Sequence, residues 1–174
     1  MHRFGSPGRI MTSNQSDAGI AIARPSDLDT VRRIVQTTIS GIYPLYYPSG
    51  VVQFFLEYHT PDRILADIEA GRVYLLKADA AVVGTGTIRG NEILRVFVLP
   101  EFQGRGYGSF IMKHLEEMIF RTHRIAKLDS SLPAFGMYLK RGYKPRAWRK
   151  IVTSGGQVLC YHEMEKEDVQ GASR

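Results

Sequence analysis

The sequence predicts a mixed α/β fold: a sheet of about seven strands with helices on both faces and one parallel crossover. Three observations predict it. Apolar, β-branched runs alternate with amphipathic helical stretches along nearly the whole chain. Short turns at Asp79-Ala80 and Gly90-Asn91 join three consecutive strand-like runs into an antiparallel meander. The third of these runs, Glu92 to Leu99, passes through a glycine-rich turn into a helix and on to a further strand at Ile125 to Asp129. Those two strands are therefore parallel. The order β-α-α-β-β-β-α-β-α-β-β is not a repeating βαβ pattern, which argues against a doubly wound nucleotide fold.

Residues 1–18 are polar and aperiodic and are read as a disordered leader or an appended remnant. Gly19 to Arg24 is the first strand, ended by Pro25. Ser26 can cap the helix that follows, whose Leu28, Val31, Ile34, Val35 and Ile39 share one face; Gly41 is expected to stop it. A second helical segment lies near Val51 to Tyr58. The next has a clear start, with Thr60 as cap, Pro61 in the first position and Asp62 in the first turn; its buried stripe is Ile64, Leu65 and Ile68, and Gly71 closes it. Val73 to Ala78, Ala81 to Arg89 and Glu92 to Leu99 form the meander. The helix from Phe110 to Phe120 turns Ile111, Leu115, Met118 and Ile119 inward and leaves Lys113, Glu116 and Glu117 in water. A short helix spans Ala134 to Arg141. Two last strands, Pro145 to Thr153 and Gln157 to Met164, flank Ser154-Gly155-Gly156 as a hairpin. The domain is thus residues 19–165, and residues 166–174 are read as a flexible, charged tail.

A chain of 174 residues is enough for one ordinary domain and too short for two. No apolar run approaches the roughly 18–20 residues that a membrane span needs, and the first residues lack a signal peptide's apolar segment. A single cysteine, Cys160, cannot form an internal disulfide, and a reducing cytoplasm is the default compartment. Cys160 is read as buried filler in a late strand. The net charge of +6 suits anionic ligands. Much of it comes from the stretch Lys140 to Lys150, where aromatics stand among cations. That stretch is read as a solvated helix end and turn rather than a nucleic-acid surface, so nucleic acid is not the expected partner. His59, His114, His123 and His162 show no metal-ligand spacing, and no metal is expected.

The stretch with chemical meaning is Val98-Leu99-Pro100-Glu101-Phe102-Gln103-Gly104-Arg105-Gly106-Tyr107-Gly108-Ser109. Strand, glycine-rich turn and helix together make an anion site from backbone alone. The first N–H groups of a helix have no partner inside it, and the helix dipole adds positive charge at the same end. Glycines at alternate positions let a diphosphate approach the main chain, and Arg105 adds a forked donor. A Walker loop would need Gly-Lys-Ser/Thr, and a dinucleotide fingerprint Gly-x-Gly-x-x-Gly; neither is present. Gln103 to Gly108 instead resembles the Gln/Arg-x-x-Gly-x-Gly/Ala signature of the acyl-CoA-dependent N-acetyltransferases of the GNAT superfamily. The resemblance covers about Gly19 to Glu165, and the element order is that of the GNAT fold.

The resemblance implies an acetyl-CoA cosubstrate and an amine acceptor. The amides of Gly104, Arg105, Gly106, Tyr107, Gly108 and Ser109, with Gln103, would hold the pyrophosphate. The main chain of Val96, Phe97 and Val98 would pair with the pantetheine arm. Ser131 to Tyr143 resembles the family segment Asn-x-x-Ala-x-x-Phe/Leu-Tyr-x-x-x-Gly-Phe, which makes Tyr138 the candidate acid for the departing thiolate. Ser131 stands where asparagine is usual, and the shorter side chain is expected to weaken one coenzyme contact. Glu92, eleven residues before Gln103, matches the offset of the catalytic glutamate in the histone-acetylating branch and is the candidate base. By period two it would share a face with Leu94, Val96 and Val98, unless a bulge reverses the parity. Tyr43, Tyr46, Tyr47, Phe54 and Phe55 fall where the family builds its acceptor wall. Two readings stay open: an N-acetyltransferase acting on a primary amine of a small molecule or protein, and a non-catalytic module of the same fold that binds acyl-CoA or nucleic acid. The fold is compatible with a homodimer.

Overall fold

The structure is a computed structural model describing residues 18–78 and 80–168. Nearly all of the expected leader, Asp79 of the first turn, and residues 169–174 lie outside the described residues. The elements in chain order are β1 (Gly19–Ile22), α1 (Leu28–Ile42), α2 (Ser49–Tyr58), α3 (Pro61–Glu69), β2 (Val73–Ala78), β3 (Ala81–Arg89), β4 (Glu92–Val98), α4 (Tyr107–Phe120), β5 (Ile125–Ser130), α5 (Leu132–Lys140), β6 (Lys144–Val152) and β7 (Val158–Glu167). They build one seven-stranded sheet in the order β1-β2-β3-β4-β5-β7-β6. Every neighbouring pair is antiparallel except β4–β5.

The apolar stripes of the helices explain the layers. Val31, Ile34, Val35 and Ile39 of α1 pack with Val51 of α2, Ile64 and Ile68 of α3 and Phe97 on one face of the sheet. Ile111, Met112, Leu115 and Ile119 of α4 pack with Ile93, Val98, Leu128 and Tyr138 on the other. Burying each such side chain contributes roughly 1.5–3 kcal/mol.

Several boundaries differ from the sequence reading, each for a local reason. Gly41 does not stop α1, which runs on to Ile42 and into a 3₁₀ turn at Tyr43–Leu45; a Cβ on Gly41 would lie 3.4 Å from Pro100 Cγ, so this glycine sits against the loop after β4. Helix α4 begins at Tyr107 rather than Phe110, because Gly106 at φ +84° supplies its N-terminal turn. Helix α5 begins at Leu132, with Pro133 in its first turn. Glu116 is buried, not wet: Arg141 grips it through two hydrogen bonds of 3.1 and 2.8 Å, and Lys166 donates to it at 2.8 Å. For the same reason the charged residues after Met164 are strand. Lys166 answers Glu116, Glu165 answers Lys127 and Arg146, and β7 pairs with β5 as far as Glu167. Along the basic stretch, Arg146 and Arg149 of β6 meet Glu165 and Glu163 across the hairpin. Cys160 is half-buried rather than fully buried.

Strand β4 carries a bulge. Its register against β3 steps from Thr87↔Leu94 to Thr85↔Phe97, so β4 holds one extra residue there. Arg95 lies within the step at φ +50°, a conformation that non-glycine residues avoid. What holds it is charge. The Arg95 side chain is 4% exposed and donates to Asp67 of α3, which is 1% exposed. Asp67 also accepts two 2.8 Å hydrogen bonds from Arg89 of β3 and lies 3.6 Å from Arg72. Burial works to raise the Asp67 carboxyl, but the hydrogen bonds from Arg89 and Arg95 outweigh it and hold the group below the usual carboxylate range.

Replacing Asp67 with alanine strands Arg95 in the interior. Urea unfolding at pH 7 is expected to show a loss of about 3 kcal/mol. A carboxyl held low when folded stabilises the protein above its unfolded pKa, and that contribution is lost as pH falls through the folded value. The gap between wild type and Asp67→Ala should therefore narrow in acid.

Candidate active site

Strands β4 and β5 pair in parallel register at Glu92↔Lys127 and Ile93↔Leu128 and no further. Beyond that point they part, and a cavity of about 610 Å³ opens between them. Its floor is Leu94 to Val98, and its rim is the loop and first turn of α4. Its other walls come from α1, α2, α5 and β7. Of the residues singled out in the sequence, Val96, Phe97, Val98, Gln103, Gly104, Gly106, Tyr107, Gly108, Ser109, Ser131 and Tyr138 all line this one cavity. Glu92 and Arg105 do not.

Glu92 pairs with Lys127 before the strands part and so stops short of the opening, and the bulge changes which residues share its face. Ile93 packs on the α4 face of the sheet, so Glu92 and Leu94, which alternate with it, face the other way. Past the bulge Val96 and Val98 pack on the α4 face and Phe97 on the α1 face. The shared face with Val96 and Val98 expected for Glu92 is lost. Arg105 turns back on its own loop: its guanidinium donates to the Glu101 carbonyl at 3.0 Å and lies 5.3 Å from the centre of the Phe102 ring.

The loop's glycines have different physical roles. Gly104 and Gly106 sit at φ +74° and +84°, where a Cβ is disfavoured. Gly108 lies within the helix, where a Cβ would come 3.3 Å from Met137 Sδ of α5. Its role is close packing of α4 against α5. The N-cap of α4 is Gly106, which has no side chain to cap the helix. Gln103 does not reach out from the loop. Its amide nitrogen donates to Val98 O at 2.8 Å, and Thr38 Oγ1 donates to the same carbonyl at 3.2 Å. That oxygen is therefore engaged by the protein itself.

Helix α5 is fixed by two phenols from the far side of the cavity. Tyr47 Oη accepts from Leu132 N–H at 2.7 Å, and Tyr43 Oη donates to Ser131 Oγ at 3.4 Å. Burial pushes the Tyr43 phenol up to about 12, against the lowering effect of Ser131. Tyr138 is 6% exposed; burial, then the neighbouring Tyr43, pushes its phenol well above the ordinary range. It stays protonated at any working pH.

Asp129 and His59 also line the cavity, and the sequence reading gave neither a role at the site. Asp129 is the first residue of β5 past the last pair with β4 and lines the opening. Burial first, then the charges of Glu92 and Glu163, raise its carboxyl to about 6, with Arg149 opposing. The signal available was its position one residue beyond the crossover strand's pairing, which only the register reveals. His59, at the C-terminal end of α2, also lines the cavity. Its Nδ1 accepts from Arg95 Nε at 3.2 Å. Burial, then Arg95 and Arg63, hold the imidazole down at about 3, so it is neutral. Tyr43, Phe54 and Phe55 line the cavity with Tyr58, while Tyr46 is exposed and Tyr47 lies behind the wall. Among the described residues no group of three or more His, Cys, Asp or Glu is placed to hold a metal ion, and no helix is long and apolar enough to cross a membrane.

Comparison with known proteins agrees with this geometry. A structure of a GCN5-related N-acetyltransferase from Rhodopseudomonas palustris superposes with a TM-score of 0.79 at 19% identity, over 93% of this chain and 100% of that one. PaiA N-acetyltransferase from Thermoplasma acidophilum, solved with coenzyme A, gives 0.69 at 19% identity, over 87% of this chain and 99% of that one. YncA from Salmonella typhimurium, solved with acetyl-CoA, gives 0.68 at 17% identity, over 87% and 94%. No curated protein sequence matches significantly. At these identities the structures establish the fold alone. The family model for the acetyltransferase (GNAT) domain matches residues 42–167, which contain the parted strands, the glycine loop and Tyr138, and the chain belongs to that family.

Proposed function

We propose that the protein moves an acetyl group from acetyl-CoA directly to a primary amine of a small molecule or protein, with no covalent enzyme intermediate. One observation carries the reading: the opening between β4 and β5 and the glycine-capped first turn of α4 share a cavity with Tyr138 and Asp129. The residues present fit acetyl-CoA. A helix start with a glycine N-cap and two left-handed glycines offers backbone donors to a pyrophosphate. The parted strand edge at Val96 and Phe97 suits the extended arm. PaiA and YncA, solved with coenzyme A and acetyl-CoA, support the same ligand for this fold. Bound there, acetyl-CoA supplies the thioester.

The chain's own groups then divide the work. Asp129 takes the proton that the amine must lose. Its carboxyl is basic enough because partial loss of water and the charges of Glu92 and Glu163 raise it. Glu92, expected as the base itself, acts behind Asp129 by its charge. Tyr138 donates a hydrogen bond to the departing sulfur. A free phenoxide is disfavoured by the same burial that keeps the phenol protonated, so the role is stabilisation of developing charge with the proton shared along that bond. Gln103 and Thr38 fix the end of β4, and Tyr47 fixes the start of α5.

The direct test is thiol release from acetyl-CoA with a panel of primary amines, alongside a thermal shift with acetyl-CoA alone. A Gly106→Val variant forces a β-branched residue to φ +84° and places bulk at the anion site; it should abolish the acetyl-CoA thermal shift. Tyr138→Phe should bind acetyl-CoA normally and lower kcat by about 10²-fold. The base works deprotonated, so wild-type kcat/KM should rise with pH through about 6. In Asp129→Asn that acid limb should vanish, leaving only the amine's own ionisation at higher pH.

A further inference from the structure

Within the transfer reaction proposed above, we infer that the acceptor is a free amino acid with an apolar or aromatic side chain, its amine beside Asp129 and its carboxylate on the Nε2–H of His59. The two residues line the same cavity from opposite electrostatic sides.

His59 is built as a donor. An arginine Nε–H can only donate, so the 3.2 Å bond from Arg95 Nε occupies the lone pair of His59 Nδ1. The neutral ring must then carry its hydrogen on Nε2, which has no protein partner among the described residues. His59 therefore cannot serve as a proton acceptor, and it is a fixed N–H at the cavity wall. Behind it the charge is positive. Arg95 shares the single carboxylate of Asp67 with Arg89 and Arg72. Arg63 donates to Tyr58 O at 3.1 Å and lies over the Tyr58 ring. A donor backed by surplus positive charge suits an anion and repels an ammonium group.

The opposite wall has the other sign. Asp129 has Glu92 on β4 and Glu163 on β7 as neighbours, with Arg149 of β6 bonded to Glu163. The pKa directions report the same two fields: His59 is held down in part by Arg95 and Arg63, and Asp129 is held up in part by Glu92 and Glu163. The register of β4 relates the two walls. Leu94 follows the last β4–β5 pair and stands level with Asp129, and Arg95 is the next residue. Phe54, Phe55 and Tyr58 supply the apolar wall for a side chain. A cavity of about 610 Å³ that must also admit the thioester arm leaves room for a small acceptor.

The test compares three acceptors on the unaltered protein by thiol release from acetyl-CoA: L-phenylalanine, L-phenylalaninamide and 2-phenylethylamine. A charge-assisted hydrogen bond predicts a kcat/KM for L-phenylalanine at least about tenfold above the other two. In His59→Phe the preference should fall to about twofold, through a larger rise in KM for L-phenylalanine than for 2-phenylethylamine. In His59→Gln, which can keep an N–H, part of the preference should return. Equal or better use of the amide or of 2-phenylethylamine overturns the inference and leaves acetyl transfer standing. So does a preference that survives in His59→Phe. No release with any of the three rejects the inference as well, and if acetyl-CoA also gives no thermal shift, the transfer reading falls with it.

Discussion

The structure depends on one buried carboxylate. Asp67 sits on α3, yet its partners are on or beside the sheet: Arg72 before β2, Arg89 at the end of β3, and Arg95 within β4. Removing a charge from water is costly unless it is paired and fully hydrogen-bonded. Here the pairing pins a helix to the point where β4 bulges. A non-glycine residue at φ +50° is unfavourable by about 1–2 kcal/mol, and the Asp67 hydrogen bond holds it in place. The bulge then reverses the alternation of β4, placing Phe97 on the α1 face and Val96 and Val98 on the α4 face. The same arginine fixes the tautomer of His59. Core, strand geometry and cavity wall thus share one electrostatic cause.

The glycine loop shows a similar economy. Positive φ at Gly104 and Gly106 turns the chain from β4 into α4, and the glycine at the N-cap has no side chain of its own to compete for the helix's first N–H groups. Gly108 serves the neighbouring helix instead, through its approach to Met137. Gln103 buttresses the loop by bonding to Val98 O. A signature that reads as a single ligand-binding device is therefore partly a ligand surface and partly the scaffold that keeps the surface rigid.

Burial does different work on the two walls. It keeps the Tyr43 and Tyr138 phenols protonated and the His59 imidazole neutral, so these groups act as donors. At Asp129 it strengthens a base, because two other carboxylates share the neighbourhood. Desolvation has one physical effect, to disfavour charge. Whether it makes a donor or a proton acceptor depends on the group's chemistry and its neighbours.

The fold was legible in the sequence because its signals are local. Hydrophobic period separates strands from helices, and Thr60-Pro61 and the glycine turn mark helix starts. The parallel crossover follows from a strand, helix and strand in succession. The loop and Tyr138 were legible because their residues stand close together in the chain. What the sequence alone could not settle was long-range. Glu92 was aimed by a parity that one inserted residue reverses, and the bulge depends on a carboxylate 28 residues away. Glu116 looked like a wet helix position, and Lys166 like part of a flexible tail, until the fold brought Arg141 and Lys166 to Glu116. Asp129 and His59 carry no motif. Their character comes from the charges packed around them, and only the tertiary structure decides which charges those are.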